Sequence, residues 1–260
     1  MDIPLRPLQS ILDFAITVVL WVYFTAGFVI FFSPFYLVAC FFSKNREQSF
    51  QRLNSRFYKG FFTLARALMP GHRWSIQPEV RGIHSSVVVC NHRSYLDSIL
   101  LISLFARHST IVKSRLFDIP LFGRMLQWSG YIPSSAEGRF AEMMVRRIEE
   151  MDTFLAGGGN LIVFPEGTRS RDGSLGRFNK GAFKIARHCR APIHVLFIQN
   201  TERMFRRGSF SFDTRGPNLI RLELIGRIDA AEAGEPASLV GMMDKVRRML
   251  EFRNNSEADV

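Results

Sequence analysis

The sequence predicts an α/β fold, a mixed sheet flanked by helices, preceded by an N-terminal membrane-anchoring helical segment. Three observations predict it. From residue 87 onward, short apolar runs alternate with stretches of helical period. Two of those runs, Val87-Val-Val-Cys90 and Leu161-Ile-Val-Phe164, lead straight into polar, charged clusters. Open α/β sheets place their ligands at such strand ends. From Phe14 to Ser43 there is no charged residue, a run of 30, where about 20 cross a bilayer core.

The apolar run comes first. It lacks the basic start, short apolar region and small-residue cleavage site of a signal peptide. It reads as one tilted span, or as a hairpin broken near Gly27 or Ser33-Pro34. A core helix beside a basic surface is the plainer reading, and the length of the run argues against it. Lys44, Arg46, Arg52, Arg56, Lys59, Arg66 and Arg73 follow against one acid, Glu47. The positive-inside rule then puts everything after residue 43 on the cytoplasmic face. Phe50, Leu53, Phe57, Phe61, Leu64 and Leu68 recur at three- and four-residue spacing among the cations. This is an amphipathic basic helix, which suits either the headgroup layer or a cover for the core, and Pro70-Gly71 ends it.

The remaining elements follow in order. Val87–Cys90 is predicted as a strand, 94–107 as a helix, Thr110–Lys113 as a short strand and Pro120–Trp128 as a short helix. Residues 138–155 read as one helix, apolar at Phe140, Met144, Ile148, Met151 and Leu155 and stopped by three glycines. Leu161–Phe164 is a strand, 180–190 a helix and Pro192–Ile198 a strand. Leu219–Ile225 alternates apolar and charged residues, as a half-exposed strand near an edge does. Leu239–Leu250 is a closing helix, and the polar stretch from Arg253 is expected to be disordered.

Composition narrows the function. Lys+Arg outnumber Asp+Glu 34 to 23, for a net charge of +11. Nucleic acid, an anionic membrane or an acidic carrier could each answer that charge. The 25 phenylalanines, many of them early in the chain, favour the membrane. No aromatic-basic element of a known nucleic-acid-binding type is present, so no nucleic acid partner is expected. Cys40, Cys90 and Cys189 are odd in number and far apart. They suggest neither a disulfide framework nor a metal site, and point to a reducing compartment. His84, His188 and His194 have no ligand spacing either.

The chemistry centres on Asn91-His-Arg-Ser-Tyr-Leu-Asp97. A histidine–carboxylate pair at a strand end is the usual apparatus for taking a proton from a hydroxyl. Residues i and i+5 lie about 140° apart on a helix. His92 and Asp97 therefore meet only if His92 is in the turn and Asp97 in the first helical turn. Ser94-x-x-Asp97 also reads as a capping box, which needs no catalysis. In Glu166-Gly-Thr-Arg169, Gly167 permits a tight turn and Arg169 offers a fork suited to phosphate, or a surface salt bridge. Cys90 reads as a buried strand residue rather than a nucleophile. Arg203-Met-Phe-Arg-Arg207 reads as a solvated basic loop.

Asn91-His-x4-Asp97 and Phe164-Pro-Glu-Gly-Thr-Arg-Ser170, in this order and at this separation, resemble the two strongest signatures of the glycerolipid acyltransferase family, the lysophosphatidate (PlsC-type) acyltransferases. The resemblance covers roughly residues 80–200. Lys113 through Gly130-Tyr-Ile132 is similar to the family's middle region, and Ala191-Pro-Ile-His-Val195 to its fourth block. The resemblance implies residues 1–70 as membrane-anchoring and amphipathic helices, 71–252 as the catalytic domain and 253–260 as a tail. It implies transfer of an acyl group from acyl-CoA or acyl-carrier protein to the hydroxyl of a lysolipid, foremost lysophosphatidate. It requires no cofactor and no metal. His92 would be the base and Asp97 its orienting partner. Asn91, Arg93, Ser94, Lys113, Glu166, Gly167, Thr168, Arg169 and Arg139 would bind substrate. The family's middle block commonly ends in a charged residue and an arginine; here it ends in Ser135-Ala136. That leaves the acceptor open between lysophosphatidate, with Arg139 substituting, and another lysolipid or hydroxylated lipid. A non-catalytic lipid-binding relative is the third reading, against which the intact His92, Asp97 and Glu166 count.

Overall fold

The computed structural model describes residues 5–170, 174–206, 208–230 and 238–258. Helix α1 (Leu5–Val22) continues through a π-helical stretch (Tyr23–Phe32) into α2 (Ser33–Phe42), and α3 (Arg46–Leu68) follows. Next come β1 (His72–Ile76), α4 (Pro78–Arg81), β2 (Ser86–Cys90), α5 (Tyr95–Leu104) and β3 (His108–Val112). After a 3-10 turn come α6 (Phe122–Trp128), β4 (Ile132–Pro133), α7 (Arg139–Glu149), α8 (Met151–Ala156) and β5 (Asn160–Val163). The chain closes with α9 (Gly181–His188), β6 (Ile193–Gln199), α10 (Thr201–Met204), β7 (Asn218–Ile228) and α11 (Leu239–Ala258).

Among the described residues the strands form one seven-stranded mixed sheet, ordered β1-β7-β6-β2-β5-β3-β4. Every neighbouring pair is parallel except β6–β7. The carboxyl ends of β2, β5, β6, β3 and β4 therefore share one rim. The central strands are apolar on both sides because both faces are covered. Val88, Cys90 and Ile162 pack on the α3–α5 side; Val87, Val89 and Leu161 pack on the α9–α11 side.

The apolar run is one continuous rod, with no reversal at Gly27 or Ser33-Pro34. Its partners on α3 step backward as it advances: Tyr23 meets Phe61 and Phe57, and Tyr36 meets Phe50. The rod thus lies antiparallel along α3. The widened turn from Tyr23 to Phe32 absorbs Pro34, which lacks the donor a regular helix needs. The Tyr23 hydroxyl donates to the Phe57 carbonyl (2.8 Å), and it comes so close to Gly60 that a Cβ there would collide with it. One side of the rod is buried, with Ile16 and Leu20 in the same core as Val88 and Leu100. The other side exposes Phe14, Val22, Phe31, Phe35, Phe41 and Phe42. Helix residues Gln9–Phe42 are long and apolar enough to cross a membrane.

Two expectations are corrected, an open choice on α3 is resolved, and two strands are added. The basic helix α3 covers the core: Phe50, Phe57 and Phe61 are buried, while Arg52, Arg56, Lys59 and Arg66 face outward. The helix expected over 138–155 is broken at Glu150 into α7 and α8. The stretch expected to be disordered from Arg253 continues α11 to Ala258, because polar residues there find partners: Arg253 pairs with Glu223 at 2.8 Å and Asn254 accepts from Arg93. Residues 259 and 260 lie outside the described residues. Strands β1 and β4 are additions that no apolar run announced; β1 (His-Arg-Trp-Ser-Ile) is polar because it is an edge strand.

Candidate active site

The site is built at the shared rim, where β2 ends. Buried Asn91 continues the strand with its side chain. Its amide donates to the Ile198 carbonyl (2.9 Å), and its oxygen accepts the Ile198 N–H (2.7 Å). The backbone is thereby fixed one residue before His92. Ser94 then caps α5, accepting the Leu96 N–H at 3.3 Å.

Asp97 sits in the first turn of α5 with 0% exposure. Its Oδ2 lies 3.0 Å from Nδ1 of His92 and accepts the backbone N–H groups of Arg93 and Ser94, each at 2.7 Å. Its Oδ1 accepts the Thr201 hydroxyl at 2.5 Å. The capping box and the histidine pair are thus one arrangement and not competing readings. The cap fixes the carboxylate, and the fixed carboxylate orients the ring. With the Nδ1 proton donated to Asp97, the lone pair of His92 lies on Nε2. The imidazole is stacked on Phe164, centroids 4.1 Å apart.

The second motif braces the first. Buried Glu166 accepts the His92 N–H (3.4 Å) with one oxygen and the Gly176 N–H (3.0 Å) with the other. The Ser170 N–H donates to the His92 carbonyl at 2.8 Å. Gly167 turns the loop at φ +67°, and a Cβ there would stand 2.8 Å from the Asn179 amide nitrogen. Thr168 is exposed beside it. The Arg169 guanidinium covers the Tyr95 ring at 3.3 Å, and its Nη1 is buried without a hydrogen-bond partner among the described residues.

Several residues expected to bind substrate are engaged elsewhere. Asn91 and Ser94 spend their side chains on the backbone, Ser94 also donating to the Phe205 carbonyl (3.2 Å). Arg93 turns away from the rim; it donates to Asn254 (2.6 Å), lies 3.7 Å from Glu202 and covers the Phe197 ring. Arg139 is exposed and paired with Asp118. Lys113 is exposed at the end of β3. Ser135 and Ser114 join hydroxyls at 2.8 Å, next to Ala136. Cys90 is buried, and burial raises its thiol well above its ordinary value, so it stays protonated. Thr201 and Phe164 escaped the sequence reading. The signal for Thr201 was the third polar strand end, Asn200-Thr201 after β6, which the parallel order brings beside β2.

Residues 73–199 match the family model described as Acyltransferase. The chain carries an acyltransferase-family domain. The domain spans β1 to the end of β6 and so contains both motifs. Over 124 residues the chain is 36% identical to the chloroplastic 1-acyl-sn-glycerol-3-phosphate acyltransferase of Brassica napus, covering 47% of this chain and 35% of that protein. The chloroplastic counterpart from Arabidopsis thaliana is 34% identical over 125 residues, 48% of this chain and 34% of that one. The chain thus spans about a third of the length of these relatives. The crystal structure of the 1-acyl-sn-glycerophosphate acyltransferase PlsC from Thermotoga maritima has the same fold, with a TM-score of 0.69 at 21% identity over 94% of this chain and 96% of that one.

Proposed function

We propose that the protein is a membrane-associated O-acyltransferase that moves a fatty acyl group from a thioester, acyl-CoA or acyl-carrier protein, to the free hydroxyl of a lysolipid, foremost lysophosphatidate. The observation that carries this reading is the 3.0 Å contact between Nδ1 of His92 and Asp97, which leaves Nε2 as a base at the strand-end rim.

Nε2 takes the acceptor's hydroxyl proton as the oxygen attacks the thioester carbonyl. The C–S bond breaks, and the imidazolium returns the proton to the departing thiolate. Asp97 holds the ring and stabilises its cationic form; general-base catalysis of this kind contributes about 10²–10⁴-fold. No acyl-enzyme forms. Glu166 acts as a brace between the two motif loops. Arg169, with a buried donor that meets no acceptor among the described residues, and Lys113 supply cations for an acceptor phosphate. The exposed apolar side of the α1–α2 rod beds into the cytoplasmic leaflet, and its other side holds the domain against the bilayer where both lipids reside.

A second reading, another lysolipid or a hydroxylated lipid as acceptor, is favoured by one observation. Ser135-Ala136 carries no cation where the family commonly has one, Ser135 is bonded to Ser114, and Arg139 is committed to Asp118. The test is a panel of lysolipid acceptors with a radiolabelled long-chain acyl thioester and the purified protein in detergent. Preference for lysophosphatidate that falls in Arg169→Gln and not in Arg139→Ala supports the first reading. Preference for an acceptor without a phosphomonoester supports the second. No transfer to any acceptor rejects both.

A further inference from the structure

A pocket of about 370 Å³ lies at the free edge of the sheet, where the end of α3 meets β1 and α4. It is lined by Arg66, Pro70, His72, Trp74, Ile76 and Arg81. Strand β1 is three places from β2 in the sheet, about 14 Å at ordinary strand spacing, so this pocket is separate from the rim at His92.

Its lining is built around unanswered donors. Trp74 is clamped between Phe62, in edge contact at 5.3 Å, and the Arg66 guanidinium, 4.9 Å over the ring. The clamp leaves the indole N–H buried without an acceptor among the described residues. A buried donor without a partner destabilises the fold that holds it. Arg66 and Arg81 form no ion pair with any described carboxylate. They stand close to one another: burial, and after it the charge of Arg81, lowers the Arg66 guanidinium below its ordinary value. His72 adds no charge and no competing acceptor. It donates from Nε2 to the Asp213 carbonyl (2.8 Å) and accepts from Asn218 on Nδ1 (2.9 Å), and burial keeps it neutral. Arg66 alone would be explained as a cation in the last turn of α3, where it meets the helix dipole. Arg81 ends α4, a single turn with little dipole to answer, and the account does not cover the indole.

We propose that this pocket is a second anion site that binds a phosphate group between Arg66 and Arg81, with the Trp74 indole N–H as a third donor. Two guanidinium forks and an indole N–H supply donors only, and a phosphate's oxygens supply acceptors only. The site does not depend on the acyl-transfer reading. The phosphate could be inorganic or the headgroup of an anionic phospholipid.

The test uses the full chain in detergent, titrated with radiolabelled inorganic phosphate at constant ionic strength. Its second arm measures co-sedimentation with phosphatidylcholine vesicles with and without phosphatidate. Arg66→Gln and Arg81→Gln are each made in an Arg169→Gln background, which removes the rim cation, and compared with that background alone and with the same background carrying Arg187→Gln, an exposed cation on α9. Both altered sites are exposed, so the variants should melt like wild type. The expected result is a loss of affinity of at least about tenfold in each pocket variant relative to the Arg169→Gln background, and none when Arg187→Gln is added to it. If the loss is seen with inorganic phosphate, the site takes the free ion. If it is seen only as lost phosphatidate-dependent sedimentation, it takes the lipid headgroup. Unchanged binding by both pocket variants in both arms overturns the proposal.

Discussion

Asp97 lies 3.0 Å from Nδ1 of His92 although five residues separate them, and the same carboxylate oxygen also receives two backbone N–H groups from the intervening turn. The turn fixes the acid before the acid fixes the base. Asp97→Asn puts an amide where four donors converge, so at least one meets another donor. We expect turnover to fall about 10³–10⁴-fold, with stability lowered by about 1–3 kcal/mol. Turnover and denaturant unfolding of the same preparation check both. A variant that keeps wild-type turnover contradicts the assignment.

Thr201 makes the fourth contact to Asp97, at 2.5 Å. Thr201→Val keeps the shape and removes the donor, leaving a buried carboxylate oxygen short of one partner. The expected cost is about 1–3 kcal/mol in stability, with turnover reduced less than in Asp97→Asn. Thr201→Ser should restore both. If Thr201→Val melts like wild type, the hydroxyl does not hold the acid.

Cys90 should be a spectator. Its burial keeps the thiol protonated at neutral pH. Alkylation of the native protein should label Cys40 or Cys189 first, and Cys90→Ala should transfer acyl groups at close to the wild-type rate. A folded but inactive Cys90→Ala protein would revive a covalent route.

His108 should give the fold an acid limit. It is fully buried in β3, donating from Nδ1 to the Phe105 carbonyl (2.7 Å) and accepting the Tyr131 hydroxyl on Nε2 (2.8 Å). Burial lowers it from 6.5 to about 4. Below 6.5 the unfolded chain binds a proton that the native state refuses. Stability is therefore full above pH 6.5 and falls between 6.5 and about 4, by about 3 kcal/mol in total. Unfolding at pH 7.5, 5.5 and 4.5 (about one unit apart or more) reads the slope. His108→Gln should flatten it, and an unchanged slope assigns the acid loss to other groups.

Membrane attachment should lie on the outward side of the α1–α2 rod. Deleting residues 1–43 is a poor probe, because Ile16, Leu20 and Tyr36 belong to the buried packing. Phe31→Asp and Phe41→Asp change only exposed positions, 68% and 77% accessible. Together they should release much of the protein from neutral vesicles while leaving its melting temperature unchanged. Full retention would place the attachment elsewhere.

Much of this site was legible because its two motifs are local. Val87–Cys90 and Leu161–Phe164 are uniformly apolar runs that end in charge, and the parallel sheet converts that pattern into one rim. The orientation of side chains was not legible. Asn91 and Ser94 look like site residues and instead cap the backbone. Arg93 sits beside His92 in sequence and points to α11, whose length was underestimated because its last turns are polar. Polar residues in a terminal helix carry no apolar period, so only their partners, Glu223 and Arg93, reveal them. The π-helical stretch was likewise hidden: Gly27 and Pro34 signal a break, and only the packing on α3 shows that the rod continues.

The most direct test is the rate of acyl transfer from a radiolabelled long-chain thioester to lysophosphatidate by wild type and His92→Ala, each purified in detergent and shown to be folded. The account predicts transfer by wild type and its loss by at least about 10³-fold in His92→Ala. Transfer by a folded His92→Ala protein at close to the wild-type rate would contradict it.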